Sequence, residues 1–318
     1  MIIRNSSSVL LQQSIVDPKI EVNLIGYFPE GESSVIVVKN EDNAIFTVVV
    51  DCYELENINK TMELLEENRI EKIDICCWTH PHKDHSLGID KLFKYFNKKT
   101  SVIIPTGMAS DNIPLYLVDI YNKIIGINQK GKKSLGVLKS TSDQKVLFEQ
   151  KYIGTDNNKI DIKVTAITPI SHRVENVKLT STTNHNEFSV MFLMQINDYN
   201  LLFTGDVENG TINEVEKEIQ IKNVHYLKIP HHCSTTSKNI TNIIDNSQLE
   251  DMVCATTISA GYKLPNIELF NWYKKQFENT YCSSKAYFDS SNKNEQYGII
   301  KTTYFMDLRK HQVIQSYG

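Results

Sequence analysis

The chain reads as an α/β protein in which sheets are flanked by helices, and three observations predict this. β-rich apolar runs alternate with segments whose apolar residues recur at helical spacing. Several of those runs stop at a histidine or an aspartate. No internal repeat and no Pro/Ser-rich linker divides the 318 residues, so a single domain is expected over 1–318.

The first two runs, SSVIVVKN (33–40) and AIFTVVVDC (44–52), are joined by the turn-like EDNA and predict a hairpin. In 57–68, Ile58, Met62, Leu64 and Leu65 fall at helical intervals, and KIDICCWTH (72–80) returns to strand character. A helix over Leu87 to Asn97 and the short strand SVIIP follow. Residues 106–158 break the rhythm, with a helical patch around PLYLVDIYNKII and then a polar stretch carrying Lys130, Lys132, Lys133 and Lys139. They read as an insertion or lid, its lysines solvated or turned to an anionic substrate, and able to recruit a protein partner. From Ile160 the strands resume as IDIKVTAITPI and the hairpin FSVMFLMQINDYNLLFTGD. Then come a helix (TINEVEKEIQ), strands (VHYLKIP, MVCATTIS), a helix (IELFNWYKKQ) and the strands GIIKTTYFMDL and HQVIQSY.

With 41% hydrophobic and 23% charged residues the chain can bury a sizeable core. A formal net charge of −4 argues against strong nonspecific attraction to nucleic acid, though not against chemistry on a phosphodiester. No segment is apolar and long enough for an export signal or a membrane span, so the expectation is a cytoplasmic protein away from membranes. The six cysteines form no CxxC pair and are expected as free thiols.

The chemistry concentrates in THPHKDHSLG, residues 79–88. His80, His82, Asp84 and His85 share one short loop just past a buried strand, where α/β proteins place their ligands. Imidazole nitrogen and carboxylate oxygen together suit divalent metals of the zinc type. Three other apolar runs end alike: Asp51 closes FTVVV, Asp206 follows LLFTG, and His231 and His232 follow YLKIP.

HxHxDH in THPHKDH resembles the defining motif of the metallo-β-lactamase superfamily. GYFPEGESSVIVV, VVVDC, NEFSV, FTGD and PHHCS resemble the remaining motifs of its ComEC/Rec2-like (competence-protein hydrolase) branch, over most of residues 20–300. The resemblance implies an αββα sandwich, two mixed sheets flanked by helices, with two divalent ions, Zn2+ or Mn2+. It implies that His80 and His82 bind one metal, with His185 as its third ligand and His172 in reserve, and that Asp84 and His85 serve the second. Asp206 would bridge them. One of His231 and His232 would complete the second site while the other donates a proton or orients. Asp51 would hold the histidine loop by hydrogen bonds, and Asn186 matches the family's asparagine. Ser234, Thr235 and Lys238 are expected at substrate oxygens.

The chain departs from the family pattern in three places. Cys233 stands where the family has glycine, putting a thiol beside the metals. Leu264 stands in GYKLP where relatives carry histidine, leaving Tyr262 and Lys263 to substitute. The opening turn IGYFPEGES is longer than the family's. The expected activity is a metallo-hydrolase acting by metal-activated hydroxide on a phosphate ester, as a phosphodiesterase or nuclease with nucleic acid or nucleotide as substrate. The alternatives are an ester, lactone or thioester hydrolase, and a metal-stabilised interaction module with weak or no activity.

Overall fold

The computed structural model describes residues 7–129, 136–142, 146–245, 251–289 and 294–318. Two eight-stranded sheets dominate it. The first runs, edge to edge, Lys310–Tyr317, Tyr297–Phe305, Pro18–Tyr27, Glu32–Asn40, Asn43–Val50, Ile75–Cys77, Ser101–Pro105 and Gly136–Ser140. The second runs Ser7–Leu10, Phe148–Ile153, Lys159–Ala166, Phe192–Ile196, Tyr199–Phe203, Val224–Lys228, Val253–Thr256 and Thr280–Cys282. Both are mixed: antiparallel hairpins in one part give way to parallel strands in another.

Alternation along the strands explains how the sheets stack. In Pro18–Tyr27, Ile20, Val22 and Leu24 face the second sheet and join Phe192, Met194, Phe203 and Tyr226 in a shared core. Ile25 and Tyr27 face the other way, into a core with Leu65, Trp78, Leu92 and Ile124. On the outer face of the second sheet, Leu202, Leu227 and Cys254 pack with Ile212, Ile240, Phe270 and Tyr273. Helix Lys60–Glu67, capped by Asn59, and helix Val118–Gln129 lie over the first sheet. Helices Asn209–Val215 and Ile267–Gln276 lie over the second. The result is an αββα sandwich, two mixed sheets flanked by helices.

The helix expected over Leu87 to Asn97 is present as a 3-10 helix, Ile89–Tyr95. Its buried residues Ile89, Leu92 and Tyr95 recur at every third position, the period that a 3-10 helix superimposes on one face. Within the span 106–158, Gly136–Ser140 pairs with Ser101–Pro105 in the first sheet and Phe148–Ile153 with Lys159–Ala166 in the second, two strands that were not expected there. These strands sit at or near sheet edges with mostly half-exposed side chains, so their apolar alternation is too weak to read. Lys139 is exposed on the edge strand, and Lys130, Lys132 and Lys133 lie outside the described residues. All six cysteines are free and buried. Among the described residues no helix is long and apolar enough to cross a membrane.

Candidate metal centre

The parallel strands of both sheets point their C-terminal ends the same way, and the loops leaving them meet between the sheets. From Asn43–Val50 comes Asp51, and from Ile75–Cys77 the loop of His80, His82, Asp84 and His85. From Tyr199–Phe203 comes Asp206, and from Val224–Lys228 the pair His231 and His232. His185 and Asn186 lead into Phe192–Ile196 through a 3-10 turn capped by Asn184. Gly205 has φ +51° and its backbone lies so close to Ser189 and Thr79 that an added Cβ would fall 2.3 Å from Ser189 Oγ. The glycine of FTGD is therefore required for the loops to meet.

Asp51 organises the histidine loop. Its carboxylate accepts from the Thr79 amide (2.7 Å), the Thr79 hydroxyl (2.6 Å) and His85 Nδ1 (2.8 Å). Its own φ of 55° is a left-handed value that aspartate tolerates. Ser86 closes the loop by donating to the His82 carbonyl while accepting from Trp78 Nε1 at 2.9 Å.

These bonds settle which nitrogen each ring offers. The Thr79 hydroxyl spends its one proton on Asp51, so at 3.0 Å it accepts from His80 Nδ1. The Thr257 hydroxyl spends its proton on Glu32 (2.5 Å), so at 2.8 Å it accepts from His232 Nδ1. His80, His85 and His232 thus all carry the proton on Nδ1 and turn the Nε2 lone pair outward, the state in which imidazole ligates metal. Burial favours the neutral ring at His80 and His82, whereas without metal the carboxylates beside His85 draw a proton to it. His80 and His82 are kept neutral by burial, which pushes His82 down to about 4. Asp84 is held well below the usual carboxylate range because His85 and His232 outweigh its burial. Against its own burial, His85 is held above the ordinary histidine value by Asp206 and Asp84, which marks the space between them as one that draws positive charge.

The residues fit divalent metal. Nε2 of His80, His85, His185 and His232 are all buried without a hydrogen-bond partner, an arrangement too costly to leave unmet by a ligand. Asp84 Oδ2 lies 3.3 Å from His232 Nε2 and 3.7 Å from His85 Nε2. Asp206 Oδ2 lies 3.5 Å and 3.4 Å from the same two atoms. Three groups that share His85, namely His80 with Asp206, Asp84 with His232, and Glu32 with Asp51, each bring their candidate ligand atoms within 4.8 Å of one another; in the third, His85 Nδ1 is already bonded to Asp51. The His82 ring centroid is 4.4 Å from that of His80 and 6.3 Å from that of His185, which extends the cluster to those two histidines.

No protein-family model matches the chain, and a search of curated proteins returns no match. Among solved structures, it is similar to a metallo-beta-lactamase from Pontibacter korlensis at 13% identity and a TM-score of 0.27, over 61% of this chain and 69% of that one. A likeness that low carries no functional weight, so the reading of the site rests on its geometry.

His231 and His232 part company. His232 faces Asp84 and Asp206, whereas His231 Nε2 meets Asn186 Nδ2 at 3.2 Å and its Nδ1 meets Glu208 Oε1 at 3.2 Å and Thr236 Oγ1 at 3.0 Å. Both take left-handed φ, as does Cys233. The Cys233 thiol is turned away from the cluster into the core with Phe270 and Tyr273, where burial pushes its pKa up. His172 is exposed and pairs with Glu214 at 3.1 Å, apart from the cluster. The Ser234 side chain caps the turn that follows, accepting from the Thr236 amide at 3.3 Å. Thr235 and Lys238 are exposed on that turn. Exposed Tyr262 and Lys263 stand on a loop closed by Ser259 and Leu264 and tied to the Pro29 carbonyl by the Ala260 amide (2.8 Å). Sequence reasoning missed Glu32, Lys228, Glu208 and Thr257. The one signal for Lys228 was a lysine inside the apolar run VHYLKIP, a place that demands a buried partner.

Proposed function

We propose that the protein is a metal-dependent hydrolase of phosphate esters, a phosphodiesterase or nuclease acting at a dinuclear centre. The observation that carries the metal-dependent part is the set of four buried, unpartnered Nε2 atoms beside ionised Asp84 and Asp206. His80, His82 and His185 would hold one ion and Asp84, His85 and His232 the other, and Asp206 would contribute to both. Divalent metal there lowers the pKa of coordinated water from 15.7 to about 7 and stabilises developing negative charge. The phosphate-ester preference is supported by the order of motifs from HxHxDH to PHHxS and by the exposed Thr235, Lys238, Tyr262 and Lys263, to which we give the substrate contacts.

The chain's own residues supply the rest. Asp51, Thr79 and Thr257 hold the ligating rings in one tautomer, so no reorganisation is needed when metal and substrate arrive. His231 has its Nδ1 side on Glu208 and its Nε2 accepting from the Asn186 amide at the edge of the cluster; once the leaving group displaces that amide, the ring, protonated with the help of Glu208, would deliver a proton to the leaving oxygen. Asn186, which touches both His231 and Glu208, fixes the ring's tilt.

The test is hydrolysis of bis(p-nitrophenyl) phosphate by metal-stripped protein, with zinc and manganese added back separately and Asp84→Ala alongside. Turnover restored by one metal and absent from the variant supports the reading. Turnover that survives both chelation and Asp84→Ala overturns it, and metal binding without turnover under any condition favours an interaction module.

A further inference from the structure

Glu32 and Lys228 stand outside the ligand set, yet they are buried to 4% and 2% exposure at the floor of the site. Buried charges persist only when paired, and these two do more than pair with each other. Lys228 Nζ reaches Glu32 Oε1 at 2.8 Å, Asp206 Oδ1 at 3.2 Å and the Gly205 carbonyl at 3.0 Å, one acceptor for each ammonium proton. The other oxygen of Glu32 accepts from the Thr257 hydroxyl, which accepts from His232 Nδ1. His232 Nε2 and Asp206 Oδ2 then face each other at 3.5 Å. Glu32, Lys228, Asp206, His232 and Thr257 form a closed ring that ties the first sheet to the second.

We infer that Glu32 is the positioning residue for two metal ligands at once. Through Lys228 it occupies Asp206 Oδ1, so that Asp206 presents one oxygen; through Thr257 it fixes the tautomer of His232. The second arm depends on proton direction alone. A carboxylate only accepts, so the threonine hydroxyl must point at Glu32 and leave its lone pair for a proton on His232 Nδ1. An amide in that place, with its oxygen toward Lys228, turns its NH2 on Thr257. The hydroxyl then points at His232, and the ring proton is driven to Nε2, where it blocks the ligating lone pair. This inference rests on the metal centre proposed above.

The experiment uses the full chain without metal, 15N-labelled on histidine, with imidazole nitrogen–proton correlation spectra followed by calorimetric zinc titration. In the unsubstituted protein His232 is expected to carry a proton on Nδ1, whether or not Asp84 and Asp206 draw a second one to Nε2. In Glu32→Gln it shifts toward Nε2–H, and zinc at the site containing His232 binds about tenfold more weakly or worse, the range for loss of a group that orients a ligand. A purely structural Glu32 would lower the melting temperature and leave the tautomer alone. Glu32→Gln with His232 still Nδ1–H and zinc affinity unchanged overturns the inference. If Glu32→Gln does not fold, Thr257→Val cuts only the His232 arm and introduces no charge. A tautomer mixture with weakened zinc is then expected, and unchanged spectra and affinity refute the inference. Unsubstituted protein that shows the Nδ1–H tautomer but binds no zinc refutes the proposed function while leaving the tautomer assignment intact.

Discussion

Two glutamates in neighbouring strands, Glu21 and Glu32, each bind lysine, and they do opposite things. Glu21 lies on the outer face of the first sheet, with Lys39 and Lys301 each 3.0 Å from its oxygens. Its direct neighbours across the strands are Val37 and Thr303, so both lysines sit two residues along, at the diagonal positions that long side chains bridge. Glu21 and Lys39 are nearly buried, but Lys301 is about one-third exposed and opens one end of that cluster to water. Glu32 has the same kind of partner, at 2.8 Å, but Lys228 is sealed from water and passes the contact on to Asp206. The first cluster ends at the sheet surface; the second, between the sheets, reaches the residues of the candidate site.

Substitutions can break or sharpen that contrast. The largest effect is expected from Lys228→Met, which strands Glu32 and Asp206 as uncompensated buried charges. It should destabilise the metal-free protein by about 3–5 kcal/mol in urea melts. Glu32→Gln/Lys228→Met removes both charges of the pair and should recover part of that loss, Asp206 still lacking its ammonium, and a double variant no better than the single would show that packing, not the charge of Glu32, dominates. Next comes Glu208→Gln, at a carboxylate more exposed than either of these, 16% against 9% for Glu21 and 5% for Glu32. We expect turnover of bis(p-nitrophenyl) phosphate to fall about 100-fold, the lower bound for loss of acid catalysis, while zinc binding stays unchanged. A parallel fall in zinc affinity would instead place Glu208 with the ligands.

The smallest effect is expected from Glu21→Gln, about 1–3 kcal/mol for weakening charged hydrogen bonds to two lysines. Its pH dependence has a definite sign. Burial raises the Glu21 pKa, but Lys39 and Lys301 outweigh it and the folded value lies below the ordinary one. Its contribution is therefore present above the unfolded glutamate pKa and is lost as pH falls through the folded one. Melts of the glutamine variant should match those of the unsubstituted protein more closely in acid than at pH 7, and a difference that grows on acidification would refute the pairing.

How much of this was legible beforehand differs by element. The strands of the inner sheet regions declared themselves because both faces are buried and the runs AIFTVVV and LLFTG are apolar throughout. The edge strands did not, because half-exposed side chains carry little pattern. The ligand loop was visible because His80, His82, Asp84 and His85 lie within six positions. Glu208 and Thr257 were not, because an isolated glutamate or threonine has no signature until something comes within hydrogen-bond reach of it.

By itself, then, the sequence determined an α/β chain with histidines and aspartates at the ends of apolar strands, since periodicity and strand termini are local properties. Only the tertiary structure decided that His232 faces Asp84 and Asp206 while His231 turns to Glu208, and that Glu32 and Lys228 meet Asp206 from beneath. The physical reason is that a ring's tautomer and a carboxylate's free oxygen depend on hydrogen bonds between residues far apart in the chain. Those bonds exist only once the two sheets have closed on each other.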